Sequence, residues 1–500
     1  MPKRPHIIIL NPDELRASAV HHLGCEAAST PNLDAFAANE AVSFSQAYCQ
    51  NPVCVPSRCS FFTGLYPHVM GHRTMYHMLR GREESLFSEL KKAGYYVWMN
   101  DRNDFLAGQI PELQDMHADE IFRQDISYRH QMKKPEEMTE AEKKVLSMMA
   151  RYPYAHYLGV VDSNPMERMD LTSTEAACRR ILTPVPEDKP LCLFVGWVNP
   201  HPTYMTDQDH YNRIDPAKMV PRIRAEECSG KSLMLDKLRE YEGLDEFPDE
   251  LWDDMGRVYL AQTALIDDMF GMVCDALKEA GMYDDSAIFV LSDHGDFAGD
   301  YNLPEKTQNT FEDCLVRVPL LIKPPKDCPV DPGVTDSITE LIDFYASVMD
   351  YAGVKPLHDQ FGRSLRPVVE NRETPNRKYA FSEGGRRASE EQCDEFHQAG
   401  PDGPPKANPY WAKMMAEKDD DAHEKGTMIC DGRFKYVLRL SGKDEFYDLV
   451  KDPGERINEI GNPDYQEKIL EMKLAMLSWY QETCDTVPRE YDQRNFVNRE

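Results

Sequence analysis

Four stretches of the chain hold side chains able to do chemistry together. The first is Cys54-Val-Pro56-Ser57-Arg58. Pro56 suits the first turn of a helix, so Cys54 is expected at a helix N-terminus, where free N–H groups and the dipole favour an anion. Arg58 adds a fixed cation beside it. A thiol so placed has a lowered pKa and is a candidate nucleophile; the alternative is a buried structural cysteine. Cys49 and Cys59 each lie five residues away, with four between, but zinc sites usually show tighter Cys-x-x-Cys pairs.

The second stretch, Ser292-Asp293-His294-Gly295, follows the apolar run Ala287 to Leu291. Asp and His side by side at a strand end, with a glycine for the turn, form an edge suited to a hard cation. The third is Asn11-Pro12-Asp13-Glu14 after Ile7 to Leu10, which puts carboxylates at the carboxyl end of a strand, where open α/β sheets bind ligands. Alone, Asp13 equally suits a turn or cap. Oxygen ligands from Asp13, Asp293 and Glu14 with His294 suit Ca²⁺ or Mg²⁺, and the imidazole also admits Mn²⁺ or Zn²⁺. The fourth, Asn100-Asp101-Arg102-Asn103-Asp104, carries a guanidinium whose fork suits a tetrahedral anion, or is a solvated charged loop. His201, between two prolines, and Lys306 read on their own as loop and surface residues.

These residues need a sheet to place them. Ile7 to Leu10, Ala41 to Ser45, Tyr95 to Met99, Leu191 to Val198, Ala287 to Leu291 and Val318 to Lys323 predict strands, the longest apolar runs buried on both faces. Helices are expected over Pro31 to Asn39, Ser85 to Ala93, Thr139 to Arg151, Leu251 to Gly281 and Asp336 to Gly353. Asp267 and Asp268 point different ways on their helix and are taken as structural. Residues 371–422, including Gln398 to Pro405, read as long loops. Short strands over Thr427 to Cys430, Phe434 to Leu440 and Glu445 to Leu449 then precede a helix from Pro463 to Glu482.

In this order the motifs resemble the type I sulfatases of the alkaline phosphatase superfamily. The resemblance rests on Cys54-x-Pro56-Ser57-Arg58 with Thr63-Gly64 and Tyr66-Pro67-His68, Asn199-Pro-His201-Pro, Ser292-Asp-His-Gly, Gly299 to Lys306 and Phe446 to Pro453. It implies an α/β fold with a large, mostly parallel mixed sheet sandwiched by helices, and a small C-terminal antiparallel sheet with a helix. It implies that Cys54 becomes formylglycine, that Asp13, Glu14, Cys54, Asp293 and His294 surround a calcium ion, and that Arg58, Arg102, His201 and Lys306 meet the sulfate or leaving oxygen. A formylglycine-generating enzyme would then be a partner. The chain departs from the pattern at Glu14 and at Asp104, which falls where many sulfatases have His.

Residues 1–370 are expected to form the catalytic domain, with a substrate-specific insertion at 107–185, and 371–500 the C-terminal subdomain. The net charge of −29 argues against nucleic acid or an anionic membrane as partner. Thirteen cysteines without a spacing framework, and an apolar start too short for a signal-peptide core, point to the cytoplasm. The substrate is expected to be a small sulfated carbohydrate. The competing readings are a phosphonate monoester or phosphodiester hydrolase and an inactive binding protein on the same scaffold.

Overall fold

A computed structural model describes residues 4–124, 139–388, 390, 405–487 and 489. Most of the expected loop at Gln398 to Pro405, and 125–138 of the expected insertion, lie outside the described residues. Eight strands, β1 (His6–Asp13), β2 (Val42–Phe44), β3 (Tyr96–Asn100), β4 (Glu120–Phe122), β5 (Leu191–Pro200), β6 (Ser286–Leu291), β7 (Leu320–Lys323) and β8 (Gly333–Thr335), form one sheet in the order β8-β2-β7-β6-β1-β5-β3-β4. All neighbours run parallel except β7, which is antiparallel to both β2 and β6. Alternation along β1 divides the core. Ile7 and Ile9 face a layer with the helices Cys54–Thr63, Leu86–Lys92 and Ile342–Ala352, whereas Ile8 and Leu10 face Pro31–Asn39, Pro165–Ile181 and Asp249–Glu279. Asp267 is structural as expected, since it accepts hydrogen bonds from the backbone N–H groups of Asn32 and Leu33 at 3.0 and 2.8 Å and so caps the helix Pro31–Asn39.

Two expectations change, and the expected insertion gains detail. The helix expected from Asp336 begins at Ile342, because Thr339–Glu340 pairs as a short strand with Ala47–Tyr48. The region 371–422 is not all loop: Ala380–Gly384 is a strand and Trp411–Glu417 a helix. The strand is masked in sequence by Ser382 and Glu383, polar residues that are buried here; Glu383 accepts from His68 Nδ1 at 2.7 Å. It edges a four-stranded antiparallel sheet with Gly426–Cys430, Phe434–Arg439 and Glu445–Asp448. Trp479 of the helix Gln466–Thr483 stacks on Phe381 with ring centroids 4.5 Å apart. Finally, parts of 107–185 belong to the central layers: β4 is an edge of the main sheet, and Ala177 and Ile181 of the helix Pro165–Ile181 pack beneath it. Asp170, Ser173 and Thr174, buried on the same helix, conceal that face in the sequence.

Candidate active site

The reacting groups converge at the carboxyl ends of β1, β3, β5 and β6. Cys54 is the first residue of the helix Cys54–Thr63, every residue of which is buried. Phe62 anchors this helix, its ring centroid 4.7 Å from that of Phe105 and 4.8 Å from that of Phe87. The helix also fixes Ser57, which donates to the carbonyl of Asp293 at 2.6 Å. The turn after β6 is held just as closely. A Cβ on Gly295 would stand 1.9 Å from the Cys314 carbonyl oxygen, so only glycine lets the chain pass there. Gly196 of β5 likewise leaves room for the Arg102 carbonyl, which a Cβ would meet at 2.0 Å.

Around Cys54 these turns assemble two adjoining clusters. In the first, Cys54 Sγ lies 3.2 Å from His294 Nε2 and 3.5 Å from Asp13 Oδ1. Asp293 completes a buried quartet whose ligand atoms lie within 4.8 Å of one another. Arg58 spans it, with Nε 2.7 Å from Asp293 Oδ2 and Nη2 3.1 Å from Asp13 Oδ2. Arg102 pairs with Asp13, and with Asp104 at 3.1 Å. In the second cluster, Lys306 Nζ sits 2.9 Å from Glu14 Oε2, 3.0 Å from His201 Nε2 and 2.9 Å from Glu305 Oε1. Glu14, expected among the metal ligands, is therefore turned to Lys306, and its Oε1 has no hydrogen-bond partner. Asp104 is neither a solvated loop residue nor a cation but the counter-ion of Arg102.

Charge and burial set the protonation states. Burial opposes ionisation of Asp13, but Arg102 and Arg58 hold its carboxyl well below the usual carboxylate range. Burial raises Glu14 well above that range despite Lys306. The sequence predicts a lowered Cys54 pKa; instead burial, with the Asp13 carboxylate alongside, pushes the thiol up. Helix-end amides are too weak to offset loss of water next to an acid. His201 is held neutral by burial and by Lys306. Its Nδ1 lies 2.6 Å from the Pro202 carbonyl, which only accepts, so Nδ1 carries the proton and Nε2 receives Lys306. His294 follows the same rule: Nδ1 donates to the Gly295 carbonyl at 2.9 Å, which leaves the Nε2 lone pair aimed at the quartet.

That orientation is the usual one for an imidazole bound to a metal. Two carboxylates, an imidazole nitrogen and the residue-54 side chain, all buried and within reach of one point, fit a divalent cation. Beside them opens a cavity of about 370 Å³ with Cys54, Arg102 and His201 at one end and Met166 and Tyr410 among its walls.

The sulfatase family model matches residues 5–354. The chain belongs to the sulfatase family. As a member, the protein is a sulfuric ester hydrolase. It is 24% identical to the choline-sulfatase of Rhizobium meliloti, over 99% of this chain and 90% of that protein. It is 24% identical to the N-acetylglucosamine-6-O-sulfatase of Bacteroides thetaiotaomicron, over 98% of this chain and 88% of that one. Among solved structures, the phosphonate monoester hydrolase of Agrobacterium radiobacter superposes with a TM-score of 0.70 at 20% identity, covering 96% of both chains, which makes the fold common to both.

Sequence reasoning missed four residues that shape this sulfatase site. Asp170 accepts from the N–H groups of Val198 and Asn199 at 2.7 and 2.8 Å and so fixes the turn before His201. Asp296 accepts from Tyr204 at 2.6 Å behind Glu14. Glu305 bridges Lys306 to Lys413, which approaches from the helix Trp411–Glu417 at 3.0 Å. Glu305 adjoins Lys306 in its motif, a signal that was available; Lys413 has none.

Proposed function

We propose that the protein hydrolyses the sulfate ester of a small alcohol, carbohydrate in kind, with residue 54 matured to formylglycine. Buried Cys54 at the head of the metal-type quartet carries this reading. The hydrated aldehyde would supply the nucleophilic hydroxyl, and a divalent cation held by Asp13, Asp293, His294 and residue 54, calcium by family likeness, would supply Lewis acidity.

The remaining work falls to the chain's own residues. Arg58 fixes the two metal-side carboxylates. Arg102 exchanges Asp13 and Asp104 for the oxygens of the incoming sulfate, and Lys306 neutralises charge that builds on the leaving side. Because His201 Nε2 has no proton of its own, the leaving oxygen draws its proton from Lys306, directly or through His201, while the Glu305 carboxylate keeps that lysine charged. The saccharide is supported by the N-acetylglucosamine-6-O-sulfatase relative. Absence of a disulfide among the twelve described cysteines supports a reducing compartment such as the cytoplasm; no helix of the described residues is long and apolar enough to cross a membrane. A generating enzyme for formylglycine completes the reading.

The decisive experiment measures sulfate release from sulfated saccharides and aryl sulfate, with phosphonate and phosphodiester esters in parallel, after chelation and readdition of Ca²⁺, Mg²⁺ or Mn²⁺. Loss on chelation, recovery with a cation, and loss of more than about 10³-fold in Asp293→Ala are expected. Full turnover without a cation overturns the scheme, and faster phosphonate cleavage moves the protein to the alternative reaction. An unmodified Cys54 peptide together with no turnover would make it a binding protein.

A further inference from the structure

On the far side of the turn Asp13 to Arg16, away from Cys54, lies a second and larger cavity of about 720 Å³ that the sulfatase reaction does not use. It is of the size that holds a small organic ligand. Leu23, Met219, Trp252 and Leu260 give it apolar walls, and Arg257 lies at its side. The arginines around it differ in their pairing. Arg16 is bound to Asp300 at 2.8 Å and Arg222 to Asp249 and Asp253. Arg257 has no carboxylate partner among the described residues. Its guanidinium lies 3.8 Å from the centre of the Tyr211 ring, it donates to the Tyr211 carbonyl at 3.3 Å, and its Nε is buried without an acceptor. Of the acids that also line the cavity, Asp300 is paired with Arg16, Asp253 with Arg222, and Asp254 accepts from the Tyr157 and Tyr211 hydroxyls, with Glu250 beside them; Arg257, which no carboxylate among the described residues pairs, is the charge left for an anion with a flat apolar body.

We propose that this cavity binds a small aromatic monocarboxylate, its ring against Trp252 and Leu260 and its carboxylate on Arg257. The same walls brace the reaction site. Tyr259, also in the cavity wall, donates to the Glu14 carbonyl at 2.7 Å and accepts from Arg16 N–H at 2.9 Å. Arg16 in turn donates to the Phe297 carbonyl at 3.1 Å, on the loop between His294 and Lys306. Occupancy therefore acts on the two loops that carry Asp13, Asp293 and His294, and ligand and sulfate ester alter each other's binding.

Calorimetric titration of the full chain with 2-naphthoate, with and without saturating inorganic sulfate, tests this. One site is expected, with a dissociation constant below about 1 mM, and in saturating sulfate the constant shifts while the one-site stoichiometry is kept. Arg257→Gln is expected to weaken it by about tenfold or more. Gly256→Leu, whose added side chain enters the cavity beside Met219 on a helix that tolerates leucine, is expected to do the same without removing a charge. Displacement by sulfate, which would put the probe in the reaction site, overturns the proposal. So do unchanged affinity in both variants and the absence of any binding at about 1 mM.

Discussion

Arg58 is wholly buried between Asp13 and Asp293, and its guanidinium is held firmly protonated by them against the cost of burial. Arg58→Ala leaves two buried carboxylates without a counter-charge and is expected to destabilise the metal-free protein by about 3 to 5 kcal/mol, read by urea unfolding. Arg58→Lys keeps the charge but cannot reach both acids with one planar fork, so it is expected to recover only part of the loss. A metal-free variant as stable as the parent would remove Arg58 from its place as the shared counter-ion. Cys54, Arg58, Asp293 and His294 were legible because their chemistry is local: each lies within a few residues of a strand end or helix start. What Glu14 and Asp104 do was not legible. Glu14 is defined by Lys306, far away in sequence, and Asp104 faces not only its neighbour Arg102 but also Arg58 at 3.7 Å, from another element.

At the scale of elements, the helix Pro111–His117 is tied to the helix Leu86–Lys92 through His117, whose Nδ1 lies 2.6 Å from the Oγ of Ser85, the residue that caps the second helix. His117 Nε2 is buried without a partner, and burial holds the imidazole down at about 4. Between that value and about 6.5 the unfolded chain binds a proton that the folded chain refuses. Stability from this contact is thus complete above about pH 6.5 and falls as pH drops toward 4, by up to about 3 kcal/mol. Urea midpoints at pH 7 and 4.5 should differ less in His117→Gln than in the parent; an equal difference in both would sink the assignment. Six of the eight strands of the main sheet were readable from their apolar runs, and the helix Pro31–Asn39 to the residue, whereas the two short edge strands Glu120–Phe122 and Gly333–Thr335 were not. The strand Ala380–Gly384 was not, because its partner Gly426–Cys430 lies some forty residues on and its polar residues are satisfied by tertiary contacts.

Across the whole molecule, the C-terminal region frames the reaction site more than it decorates it. Lys413 holds Glu305, Asn309 Nδ2 donates to the Ala422 and Glu424 carbonyls at 2.7 and 3.0 Å, and Arg439 donates to the Asn309 carbonyl at 3.0 Å. The segment bearing Lys306 is thus clamped from residues beyond 370. Lys413→Met is expected to lower kcat by about 10- to 100-fold with little change in KM, and Lys413→Arg to restore most of it. A loss confined to KM, or none, would make Lys413 a packing residue only. Such links could not be read from the sequence, since they join a motif to a helix in a region that reads as loop. The depth of the Cys54 helix also orders events in the life of the chain. Cys54 is 3% exposed, at the head of a helix with no exposed residue. Under the proposed maturation, a second protein that oxidises this cysteine has to meet it before the sheet closes, on the nascent or unfolded chain. Native, unmodified protein should resist conversion, urea-unfolded chain should accept it, and folding speed would then set how much active enzyme a cell obtains.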